Sequence, residues 1–148
     1  CQWMPMYRIS KKSFDVAFRT FSEVFENSSF WYVRGHGLFV ASLDEFQINY
    51  PQIVKQMNSP IVAKDLDSID IHDEKDFLAH MLMGPSQIKA YLENLEDTTI
   101  NTDNNAYLEY QTPSEFMEKT KDIVEGLLPW AGIDPYIIQN ISEFTNLI

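Results

Sequence analysis

Three histidines, one cysteine and one Asn/Asp cluster are the residues of this chain whose types could support chemistry. His36 sits in a glycine-flanked turn, RGHG, His72 in an acidic stretch and His80 in a helical pattern. A metal site wants ligands at close spacing, such as two His at i and i+4 with a carboxylate nearby. His72 and His80 are eight residues apart and no HExxH pattern occurs, so no metal is expected. Cys1 would need a positioned base to act as a nucleophile. It reads instead as a strand cysteine, buried in a longer protein. Asp103 lies in NTDNN, which lacks the alternating acids and the glycine of a calcium loop. Asn and Asp cluster there because their side chains turn the backbone. No GxGxxG, no GxxxxGK and no nucleophile elbow is present. These residues by themselves do not support catalysis.

The 148-residue chain has one domain's length, and its 45% apolar and 14% aromatic content is that of a folding sequence. One Cys excludes a disulfide scaffold. No apolar run is long enough to span a bilayer, so no membrane insertion is expected. The net charge of −11 argues against nucleic acid or an anionic membrane as partner. An acidic field favours cationic ligands, but acidity also serves solubility in a cytoplasmic protein, the location expected here. The charge is uneven. Residues 1–34 hold five bases and three acids, whereas residues 65–97 hold nine acids and two lysines, a net of −7. That acidic segment reads as a solvated face.

Elements follow from spacing. Ser10 is placed to cap a helix over 11–26, on which Phe14, Ala17, Phe18, Phe21, Val24 and Phe25 form one apolar stripe. Four aromatics on that stripe predict a sheet-facing core. Residues 29–33 and 38–42 flank a turn with two glycines, which predicts a hairpin, its second strand the more buried. Residues 44–94 read as short helices, with Asp44 capping the first and Pro51 and Pro85 at first helical positions. Asp73 should cap a helix carrying Phe77, Leu78, Met81 and Leu82, ended by Gly84. Residues 95–106 read as a polar loop and 107–110 as an extended segment. Thr112-Pro113-Ser114-Glu115 matches a capping box opening a helix to about Leu128, and Asp134-Pro135 opens a further one.

The order of the pieces is more specific than any one of them: CQWMPMY, a helix containing RTFSEVF, the hairpin FWYVRGHGLFVAS, then INTDNNAYLEY followed by TP. Over residues 1–113 this resembles the C-terminal part of the polyamine aminopropyltransferase (spermidine synthase-like) family, in the bacterial branch often fused to membrane segments. Residues 114–148 are set apart as a helical tail. The family pattern has Pro after VF, a second Asp in NTDD and Pro at the place of Ala106; this chain departs at all three.

The resemblance implies an α/β fold, the C-terminal portion of a Rossmann-like, methyltransferase-type domain with a β-hairpin packed against several helices. The family reaction transfers an aminopropyl group from decarboxylated S-adenosylmethionine to a polyamine. Its glycine-rich loop and catalytic Asp lie on the first four strands, so the resemblance implies no catalytic residue and no cofactor site in this chain. Its partner would be the missing N-terminal half of the parent, and the chain alone would be inactive. Gln2 matches the family's Gln at the end of the fifth strand, beside the amine pocket, and Trp3 follows it; both are expected to bind substrate. Strand 38–42 is expected to border an edge that the absent half covers, which predicts a homo-oligomer through Leu38, Phe39 and Val40. The competing reading is a self-contained helical α/β interaction module without catalysis.

Overall fold

The computed structural model describes residues 1–45, 47–114, 119–133 and 138–139. Strand β1 (Gln2–Pro5) leads through a loop into helix α1 (Lys11–Val24). The Ser10 hydroxyl accepts the backbone N–H of Ser13 at 2.9 Å, the N-cap that the sequence predicts. Strands β2 (Asn27–Val33) and β3 (His36–Ser42) form the hairpin. Its turn is only Arg34 and Gly35, with φ of 47° and 87°. Two left-handed residues give the turn twist that suits a tight hairpin. The second glycine, Gly37, lies in β3 and not in the turn. A Cβ there would stand 2.7 Å from the Phe30 ring, so only glycine lets that ring cross the strand.

The middle of the chain departs further from expectation. Asp44 caps no helix. A two-residue strand β4 (Ile48–Asn49) precedes α2 (Tyr50–Met57), and the Asn49 side chain caps it by accepting the Gln52 N–H at 3.1 Å. Helix α3 (Pro60–Asp67) follows. Asp73 caps α4 (Glu74–Ala79) as expected, but that helix stops before Met81. Met81–Met83 become strand β5 and pair antiparallel with β2. The free edge of β2 offers backbone partners that a continued helix would leave unused, and β5 takes them. Gly84 therefore starts α5 (Pro85–Glu93) instead of ending α4.

After the polar loop, 107–110 is not extended: Tyr107–Tyr110 form one helical turn, α6. Thr112–Ser114 form a short 3₁₀ turn, and the Thr112 hydroxyl bonds to that of Ser13 at 2.7 Å. Helix α7 (Thr120–Leu127) begins eight residues after Thr112, and residues 115–118 lie outside the described residues. So does most of the helix expected from Asp134, whose two described residues form strand β6 (Ile138–Gln139), parallel to β4.

The fold is mixed α/β. The main sheet has the order β1-β3-β2-β5, with every neighbouring pair antiparallel. Two antiparallel steps make β1 and β2 parallel to each other, connected by α1, with β3 inserted between them. The edge of β3 expected to be open is closed by β1, with Gln2 opposite Phe39 and Pro5 opposite His36. Nor is β3 the more buried strand; it alternates, with Gly37 and Phe39 buried, while β2 buries Ser28, Ser29 and Phe30 in succession.

The main core lies between α1 and the sheet: Met6, Phe14, Phe18 and Phe30 are fully buried, and Phe39 nearly so. Ile123 and Leu127 of α7 join this cluster. A second, smaller cluster of Ile48, Tyr50, Leu78 and Met81 lies under the short helices, with Trp31 and Phe77 against it.

Candidate functional site

Gln2 and Trp3 are neighbours in β1, and alternation along a strand sends their side chains to opposite faces. They do not share a pocket. Gln2 is exposed, and its side-chain N–H donates to the Trp3 carbonyl at 2.9 Å. It lies opposite Phe39, on the face covered by α1.

Trp3 is half exposed on the other face, where it meets His36. Their ring centroids are 5.4 Å apart. Tyr7, just after β1, approaches the same imidazole edge-on at 5.7 Å. His36 Nδ1 is enclosed and has no hydrogen-bond partner among the described residues. The three rings stand where β1 ends and β3 begins, with the hairpin turn tied in by a bond from Met6 N–H to the Gly35 carbonyl at 3.1 Å. This is also the carboxyl end of the two parallel strands, where ligands gather in open α/β sheets. Indole, phenol and imidazole rings grouped in this way make an aromatic surface, the kind that attracts an organic cation. Arg34, beside this cluster, is neutralised by Asp70.

From sequence His36 stood out only as a lone turn histidine, and Tyr7 was not singled out. Their proximity depends on the β1–β3 register, which pairs Pro5 with His36. No spacing within the chain encodes that pairing.

A second chemical cluster joins α1 to α5. Lys11 Nζ donates to Asp15 at 2.6 Å and to the Tyr91 hydroxyl at 2.9 Å. The Tyr91 hydroxyl in turn donates to Asp15. Burial, and then the Asp15 charge, push the Tyr91 pKa far above its usual range. The hydroxyl stays protonated and acts as a donor, so the cluster latches α1 to α5.

The Asn-rich loop is structural. Asn105 Oδ1 accepts the N–H groups of Thr102 and Tyr107 at 2.9 and 3.1 Å. Asn101 Oδ1 accepts that of Leu108 at 2.9 Å. Cys1 is exposed, outside β1. Among the described residues no group of three or more His, Cys, Asp or Glu side chains could hold a metal, and no helix is long and apolar enough to cross a membrane.

No family model, no curated protein and no solved structure matches the chain.

Proposed function

We propose that this chain is the distal part of a spermidine synthase-like aminopropyltransferase domain of methyltransferase type. One observation carries the reading: β1 and β2 are parallel and joined by α1, while β3 returns antiparallel between them. That crossover with an inserted reversed strand is how a Rossmann-like sheet of this type ends. In this reading the nucleotide-binding half adds its strands along the outer edge of β1, which has no strand partner among the described residues. Association, with that half or as a homo-oligomer, runs along this edge and not along β3.

Within this reading Trp3, with His36 and Tyr7, lines the polyamine pocket, and Gln2 lies behind it on the opposite face. The described chain offers no fit for the nucleoside of decarboxylated S-adenosylmethionine. Gly35 is spent on the hairpin turn and Gly37 is covered by the Phe30 ring, so neither forms a nucleoside cradle. The chain alone is inactive. Its NTDNNA loop also differs from the family pattern for a physical reason. Ala106 holds a left-handed φ of 39°, which a proline ring, fixed near −65°, cannot adopt.

The test is to express the reading frame as it extends upstream of Cys1 and to assay aminopropyl transfer to putrescine and to spermidine. Transfer is expected, with a raised KM for the amine in Trp3→Ala. A frame that encodes no glycine-rich strand–turn–helix, or a product that transfers to neither amine, overturns the reading.

One observation favours the second reading, a self-contained interaction module. The chain closes the β3 edge with its own β1 and completes an aromatic core by itself. A monomeric mass by light scattering at every concentration supports this second reading.

A further inference from the structure

A groove of about 500 Å³ runs between β2, β4 and the short helices α2, α3 and α4. Trp31 and Phe77 form one wall, their ring centroids 5.3 Å apart. Ile53 and Met57 of α2, and Val62 and Leu66 of α3, line the rest, each pair one helical turn apart. None of the described residues lining the groove is ionisable, although acids crowd the stretch 65–76 beside it. Helix α3 buries none of its residues, and Val62 and Leu66 are only half-buried. A helix of eight residues is marginal in water and depends on covering its apolar face. An occupant that covers this groove therefore stabilises α3 as well as itself.

The path of the chain supplies a candidate. Strand β6 runs parallel to β4, with Gln139 opposite Asn49, and Asn49 lines the groove. Paired strands lie about 5 Å apart, so the chain reaches position 139 at the groove's rim. Residues 140–148, which lie outside the described residues, follow directly. Nine residues can span up to about 30 Å, against roughly 12 Å for the whole length of α2. Their chemistry also matches the walls. Ile141, Phe144 and Leu147 recur at three-residue spacing, Ile148 adds a fourth apolar side chain, and Glu143 is the one ionisable side chain of the nine. A charged occupant would lose its hydration to walls that return no ion pair, whereas a segment this poor in charge would not.

We propose that residues 140–148 dock in this groove, with Phe144 as their aromatic anchor. The segment then completes the second hydrophobic cluster and gives α3 the apolar partner it lacks. The inference is independent of the aminopropyltransferase reading, since Trp3, Tyr7 and His36 do not line the groove.

The test is NMR of the full chain. Nuclear Overhauser contacts are expected between the Phe144 ring and the methyl groups of Met57, Val62 or Leu66. In a mixture of isotope-labelled and unlabelled chains, these contacts are expected within chains and not between them. The neutral fluorophore prodan reads the groove in a second way. Phe144→Asp should bind it about tenfold more tightly than the wild type, the factor by which a groove filled about nine-tenths of the time weakens an outside ligand. Leu147→Asp carries the same expectation should Phe144→Asp fail to fold. Equal prodan affinity in wild type and variant would show that the groove stands open. Overhauser contacts only between chains would make the occupant a second copy. Contacts of Phe144 with another surface would place the segment elsewhere. Each of these last three results overturns the proposal.

Discussion

The two hydrophobic clusters of this protein are built in different ways. The first is made by one long helix laid on a hairpin. Phe14 and Phe18 of α1 meet Phe30 and Phe39 with ring centroids between 4.8 and 6.4 Å apart. The second is assembled from a two-residue strand, short helices and one strand of three residues, and its four buried members come from two stretches of chain nearly 30 residues apart. The first cluster repeats one local pattern. The second exists only because distant short segments arrive at one place. Stability should therefore be concentrated in the first cluster, and local opening should begin in the second.

The largest expected effect is at Phe18, which is fully buried against four other rings. Phe18→Ala should cost about 3–5 kcal/mol, read from the urea midpoint. A cost below that of Leu78→Ala would break the ranking of the two clusters. Leu78 is 2% exposed at the centre of the smaller cluster. Leu78→Ala should cost ~2 kcal/mol, at the low end for such truncations, because the short elements around it can relax. Hydrogen exchange sharpens the contrast. In Leu78→Ala the amides of α4 and β5 should lose protection while those of α1 keep theirs; equal loss in α1 would mean that the two clusters open as one unit.

Helix α1 can be tested at its cap. Ser10→Ala removes the acceptor for the Ser13 N–H and should cost about 1 kcal/mol. Asp73→Ala, which removes the cap of α4, should expose only the second region to faster exchange. The smallest effect belongs to the latch between α1 and α5. Tyr91→Phe should cost about 0.5–1 kcal/mol at neutral pH, because Lys11 and Asp15 remain paired. The Tyr91 pKa is raised in the folded chain, so the unfolded chain loses this proton first. The hydroxyl's contribution is then complete below the ordinary tyrosine value of 10.0 and declines as the pH rises above it. Denaturation between pH 9 and 11 should show that decline in the wild type, and a shallower one in Tyr91→Phe.

How far the sequence could be read follows the same division. Helix α1, its serine cap, its aromatic stripe and the β2–β3 hairpin were all legible, because each is encoded within a few residues by periodicity, capping chemistry and turn type. Asp73 was legible as a cap for the same reason. The end of α4 was not, because Met81, Leu82 and Met83 fit the apolar face of a helix and equally fit a buried strand. What decided between them was the free edge of β2, some 50 residues earlier in the chain. Tyr107–Tyr110 turned helical because the Asn101 and Asn105 side chains bind the N–H groups at its start. Thr112 was read as a cap, but its hydroxyl was taken by Ser13, 99 residues away.

The candidate sites divide in the same way. Trp3 could be named from a motif, whereas its neighbours His36 and Tyr7 required the register of β1 on β3. By itself, then, the sequence determined the charge, the α1 stripe, the hairpin and the caps, all of which depend on interactions within one or two turns of chain. Only the tertiary structure decided that β1 closes the edge of β3 and that Met81–Met83 become a strand. Those outcomes depend on which distant backbone edge or side chain is left unsatisfied, and no local pattern records that.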